Sequence, residues 1–140
     1  MKRQEGTLTP ELASFVDTFS HLAMQLPGQL AALCADIEQT EARMRALAEQ
    51  GLVRAVPDWR TGRKGEYLTL VYPAEEGGKR PRKYIGRDPV KVKEALDGLD
   101  RAEEYDRLQR RLYEMMPASF EAANYISKAR DVLVSGRPFS

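Results

Sequence analysis

The chain reads as a mainly α protein with a small β element: an antiparallel, coiled-coil-like pair of long helices with an inserted basic β-hairpin. Three observations predict this. Apolar residues recur three and four apart over two long stretches, the cadence of amphipathic helices. Between those stretches lies a segment dense in β-formers, glycine and proline. Each helical stretch also opens on a polar cap followed by proline, Thr9-Pro10 and Asp88-Pro89.

Taken in order, Thr9, Pro10 and Glu11 supply an N-cap, a first-turn proline and an acidic first turn, so a helix is expected from residue 10. Leu12, Phe15, Val16, Phe19, Leu22, Ala23 and Leu26 form one apolar face, and Pro27-Gly28 interrupts it, which predicts a first helix over about 10–26. From Gln29 the residues Leu30, Leu33, Ile37, Thr40, Met44 and Leu47 alternate three and four apart, as in a helix lying along a partner, until Gly51. These N-terminal helices occupy 10–50.

Residues 52–87 form the basic hairpin region. Leu52–Val56 is a short apolar run, Pro57–Gly65 reads as a turn-rich connection, and Tyr67–Tyr72 and Lys83–Ile85 read as the two strands. The link from Pro73 to Arg82 turns at Gly77-Gly78. The C-terminal helices occupy 88–134. Val92, Ala95, Leu96, Leu99, Ala102, Tyr105, Leu108, Leu112 and Met115 mark one stripe up to Met116, where Pro117 is expected to stop the helix. Such a helix would span roughly 40 Å, too long for a hairpin to cover, so another helix or another chain must lie alongside it. Ser119 is placed as the cap of a fourth helix carrying Phe120, Ala123, Ile126 and Leu133, and the last residues from Arg137 form a tail.

Composition narrows function by exclusion. The 140 residues, with 42% hydrophobic and 31% charged side chains, suit a single globular domain over 1–140. One Cys and one His leave no disulfide framework and no multi-cysteine zinc pattern. Met1–Gly6 leads into an amphipathic segment without an apolar core, and no run of apolar residues is long enough for a membrane span, so a cytoplasmic protein without a membrane partner is expected. No phosphate-cradling glycine loop, nucleophile elbow or paired metal-ligand helix is present, and Gly77-Gly78-Lys79-Arg80 reads as a turn. His21 has Gln at i+4 and reads as a packed or surface side chain, while Cys34 reads as a small packing residue. The expectation is a non-enzymatic protein with no catalytic residue, cofactor or metal.

The net charge of +1 hides an uneven distribution. Residues 54–93 hold 11 basic and 5 acidic groups, whereas the segments on either side are each acidic on balance. Lys79, Arg80, Arg82 and Lys83 crowd one stretch, Arg60, Arg63 and Lys64 precede it, and Arg87 follows. A β-ribbon carrying them would displace counterions from a nucleic acid backbone, and Trp59, Tyr67, Tyr72 and Tyr84 interleave with them as stacking surfaces. The competing structural reading is that Lys and Arg guard a strand edge from aggregation and the aromatics hold the ribbon to the helices. On α-helical geometry the run Arg101, Glu104, Asp106, Arg107, Arg110, Arg111 and Glu114 is read as a solvated face with pairs three or four apart, or else as an added row of phosphate contacts from Arg107, Arg110 and Arg111.

Two segments carry resemblances. Tyr67–Tyr72, followed by Gly78-Lys79-Arg80-Pro81-Arg82-Lys83-Tyr84-Ile85-Gly86 and a long charged helix, is similar to the basic β-hairpin of transposase N-terminal regions and of mobile-element coiled-coil proteins. That resemblance implies a DNA-associated role and transfers no catalytic residue. Residues 46–70, from Ala46 through Gly51-Leu52-Val53-Arg54 to Leu68-Thr69-Leu70, resemble the recognition-helix end and wing of winged-helix regulators, without a glycine-containing helix-turn-helix turn upstream.

The expectation is therefore a nucleic-acid-binding protein, DNA before RNA, that uses Arg60, Arg63, Lys64, Lys79, Arg80, Arg82, Lys83 and Arg87 on a homodimeric helical scaffold. Two alternatives stay open: a helical adaptor or small regulator that binds a protein partner through its helix faces and has a structural hairpin, and a winged-helix transcriptional regulator.

Overall fold

Both caps form as their residue types require, and they set where the two long elements begin. In a computed structural model, which describes residues 8–139, the amide of Leu12 donates to Thr9 Oγ1 at 3.3 Å and helix α1 runs Pro10–Gln50. The amide of Val90 donates to Asp88 Oδ1 at 3.1 Å and helix α2 runs Pro89–Ser135. Gly51, at φ 102°, ends α1 in the left-handed conformation that a side chain would resist. Between the helices lie strands β1 (Val56–Gly62), β2 (Gly65–Val71) and β3 (Arg82–Gly86), an antiparallel sheet in the order β1-β2-β3. The Met1–Gly6 opening and Ser140 lie outside the described residues.

Four element-level expectations are corrected. Pro27 lies inside α1 and Pro117 inside α2, so each predicted helix pair is one continuous helix and Ser119 is an interior residue. A proline removes one interior amide and crowds the carbonyl four residues back, a penalty of about 3 kcal/mol. The apolar cadence stays in phase across both prolines, Leu22, Leu26, Leu30 and Leu33 at the first and Leu112, Met115, Ala122 and Ile126 at the second, so the side chains on either turn keep one face and the helix continues. The segment from Pro57 is likewise a strand: Asp58, Arg60 and Gly62 alternate with Trp59 and Thr61 along β1, and only Arg63 and Lys64 turn the chain. Neither of those two residues has positive φ, and Gly65 takes it at 110°. Cys34 is exposed rather than packed, one position past the half-buried Leu33.

The described chain divides into two compact units. The unit of residues 39–116 holds the core. Leu68 and Leu70 of β2 are buried against Ala95 of α2, and Val53, Ala55, Ile85, Leu96 and Leu99 pack around them. Burying a leucine side chain of this kind is worth about 1.5–3 kcal/mol. Thr40, Met44 and Leu47 of α1 and Ala102 and Met115 of α2 are also buried. The helices are paired antiparallel here: Arg101 Nε donates to Gly51 O at 2.7 Å, while Arg43, eight residues earlier in the chain, grips Glu104 with Nε and Nη2 at 2.7 and 3.0 Å. Arg54 holds both oxygens of Asp106 at 2.8 Å. The charged run on α2 is thus tied to other elements at Arg101, Glu104 and Asp106 rather than only along its own helix.

The unit of residues 8–38 and 117–139 pairs the N-terminal part of α1 with the C-terminal part of α2. Its half-buried positions include the small residues Ala13, Ala23, Ala122 and Ser127 beside the larger Leu33, Ile37 and Val132.

Candidate nucleic-acid interface

Strand alternation decides where each basic side chain of the sheet goes, because cross-strand partners share a face. Leu68 and Leu70 point to α2, and so do their partners Trp59 and Pro57 on β1 and Lys83 on β3. The opposite face carries Asp58 and Arg60 of β1, Tyr67, Thr69 and Val71 of β2, and Arg82 and Tyr84 of β3, and at Val71 it borders a groove that Leu96, Leu99 and Ala102 of α2 also line. A register shift between Leu68 and Thr69 lets Ile85 join the core without moving Tyr84 off the open face.

Contacts on the open face follow from that register. The Tyr67 and Tyr84 rings lie with centroids 5.5 Å apart at 50° to one another. Thr69 and Val71 are buried, Val71 beside the groove that α2 lines, whereas Tyr84 is 65% exposed. Arg60 Nε and Arg82 Nη1 both donate to Asp58 Oδ2, each at 3.1 Å. The hydrogen bond from Arg60, and then that from Arg82, hold the Asp58 carboxyl below its ordinary value, so the group stays ionised. Asp58 therefore gathers two guanidinium groups that would otherwise repel and fixes them beside the tyrosines. Half of each arginine side chain remains in solvent.

The other predicted cations are distributed differently. Arg63 and Lys64 form the exposed turn at the end of β1 and β2. Lys79 lies in the exposed loop between β2 and β3, and Arg87 is exposed between β3 and α2. Arg80 lines a groove with Arg54, Asp100, Glu103 and Asp106, the last held by Arg54. Lys83 lines a second groove, on the helix side, with Lys91, Glu94 and Arg101. The eight cations do not share one side. Arg60 and Arg82 lie together, Arg63 and Lys64 extend the hairpin that carries Arg60, and Arg80 and Lys83 line separate grooves. Glu94 borders the groove of Lys83, while Asp97 is engaged by Lys93 at 2.9 Å.

The chain matches no family model, no curated protein and no solved structure. The geometry alone carries the reading. Among the described residues no three of His, Cys, Asp and Glu gather to hold a metal ion, and no helix is long and apolar enough to cross a membrane.

Two features of the site escaped the sequence reading. Asp58 falls in the stretch that the sequence predicts as a turn, although Asp58-Trp59-Arg60 has the period of two that places the acid and the arginine on one strand face. The pairing of Tyr67 with Tyr84 needed the register of β2 against β3, which nothing in the local sequence states.

Proposed function

We propose that the chain is a non-enzymatic nucleic-acid-binding protein whose open sheet face receives a single strand, with DNA as the foremost ligand. The observation that carries this reading is the grouping of Tyr67, Tyr84, Arg60 and Arg82 on one face of the sheet, opposite Leu68 and Leu70, with the rings 5.5 Å apart. Aromatic side chains on a sheet supply π-faces for unstacked bases, and flanking arginines supply phosphate contacts and cation–π contacts. A duplex keeps its bases stacked inside, so it gains from the cations but not from the rings.

Asp58 sets the balance of this face. With the ligand absent it neutralises one of the two arginine charges and holds both groups in position. A phosphate approaching Arg60 or Arg82 competes with a carboxylate that is already hydrogen-bonded, which favours moderate and salt-sensitive binding. Arg63 and Lys64 at the hairpin tip lengthen the positive track along the strand direction.

The test is an electrophoretic shift of the full chain with oligo-dT, oligo-U and a random duplex at two salt concentrations. The reading requires single strands to shift more strongly than duplex, with all shifts weaker at the higher salt. Absence of any shift, or a preference for duplex that Tyr84→Leu leaves intact, would contradict it.

A further inference from the structure

The helical unit of residues 8–38 and 117–139 has no buried residue among those described, although it is rich in large apolar side chains. Phe15 is 65% and Leu22 58% exposed on α1, and Leu133 is 64% and Val134 84% exposed on α2. Phe19, Leu22 and Leu26 of α1 face Ile126 and Leu133 of α2 across an open groove of about 460 Å³. Phe15 stacks on Phe19, one turn earlier, with ring centroids 6.4 Å apart. The small residues along the seam let the two helices approach while leaving the large ones outside it. A soluble chain rarely leaves so continuous an apolar surface uncovered.

We propose that this face docks a second copy of the chain, closing two helix pairs into a four-helix bundle in which α1 of each copy lies against α2 of the other. Two observations select a second copy. The first is area. Phe19, Leu22, Leu26, Ile126, Leu133 and Val134 line the one groove and Phe15 stacks at its edge, each 41% or more exposed, a continuous apolar surface on the order of the ~800 Å² that one partner brings to a standard interface. The second is charge. From residue 8 to residue 42 the chain holds Glu11, Asp17, Asp36, Glu38 and Glu41 and not one Lys or Arg, whereas the part of α2 from Pro117 to Ser135 balances Glu121 and Asp131 with Lys128 and Arg130. Laying α1 of one copy on the neutral part of α2 of the other avoids setting the two acidic α1 segments against each other, in both halves of a two-fold dimer. A lipid surface fits less well, because amphipathic helices that lie on anionic bilayers carry Lys and Arg along the polar face and α1 has none there.

The proposal does not depend on the nucleic-acid reading, since no residue of the sheet takes part. Sedimentation velocity of the full chain tests it, with Phe15→Glu/Leu22→Glu on α1 and Leu133→Glu/Val134→Glu on α2 as variants. All four positions are more than half exposed in the single chain, so a charge there costs the fold little, and two pairs on separate helices leave one to decide if the other unfolds. The expected result is a wild-type mass of twice 15.8 kDa and a mass of 15.8 kDa for each folded variant, with helicity by circular dichroism unchanged. A wild-type monomer at tens of micromolar, or dimers from a folded variant, overturns the proposal. So does a monomeric wild type that floats with phosphatidylserine vesicles, which would assign the face to lipid.

Discussion

Gly98 of α2 accepts a hydrogen bond from the amide of Val53 at 3.0 Å, and nothing but hydrogen separates the two residues. A Cβ on Gly98 would stand 3.1 Å from Val53 Cβ and would overlap Val53 Cγ2 outright. Val53 is a short β-branched side chain packed against the Leu68, Leu70 and Ala95 cluster, and because its own Cβ is part of the close contact, turning its methyl groups relieves only some of the overlap. Glycine inside a helix ordinarily costs about 0.5–1 kcal/mol against alanine. Overpacking at a close contact costs about 1–3 kcal/mol, and here it outweighs that gain. Gly98→Ala is expected to lower stability in urea denaturation by about 1–2 kcal/mol, and Val53→Ala in the same chain should recover part of the loss, giving a non-additive double-mutant cycle.

Replacing Asp58 with Asn frees Arg60 and Arg82 and removes the one acid of the open face. Affinity for single-stranded nucleic acid should rise several-fold at low salt, and the slope of log affinity against log salt should steepen by about one. Fluorescence anisotropy with a labelled oligonucleotide at several salt concentrations checks both numbers. An unchanged slope would mean that the two arginines do not meet phosphates.

Much of the fold was legible from local rules. The caps at Thr9 and Asp88, the left-handed Gly51 and the β-forming run at Tyr67–Val71 each depend on residues a few positions apart, and each forms where its chemistry places it. The two prolines misled because their penalty is local, while the in-phase stripe that outweighs it extends over several turns. The site was legible in residue type and not in arrangement. Lys79, Arg80, Arg82 and Lys83 are neighbours in sequence, but strand alternation places Arg82 and Lys83 on opposite faces, and Arg80 lines a groove whose other wall α2 supplies. Contacts such as Arg60 and Arg82 on Asp58 span a register that only pairing of three strands defines.

Pro27 and Pro117 should be the least favourable residues of their helices. Pro27→Ala and Pro117→Ala each restore one interior amide and remove a ring that crowds the preceding turn. Both variants are expected to raise the midpoint of thermal unfolding and to leave or increase the helical signal in circular dichroism. A lower midpoint for either would show that the proline, not the flanking stripe, is needed for packing.

The Arg43–Glu104 fork makes a small part of stability depend on pH. Hydrogen bonding to Arg43 holds the Glu104 carboxyl below its ordinary value, and the same bond raises Arg43, which stays charged throughout. A carboxyl lowered on folding stabilises the chain fully above the ordinary glutamate range, and the contribution disappears as pH falls through the lowered value. The difference in urea midpoint between wild type and Glu104→Gln should be constant near neutrality and shrink on acidification below about pH 4. Both side chains are partly in solvent, so the effect is expected to be small.

The most direct measurement of the account is an anisotropy titration of labelled oligo-dT with wild type and Tyr84→Leu across a salt series. Tyr84 is 65% exposed, so the substitution removes a ring and leaves the sheet intact. The account predicts a loss of about tenfold in affinity with an unchanged salt slope, since stacking on a base is worth about 1–3 kcal/mol and releases no ions. Equal affinities for the two proteins would contradict it.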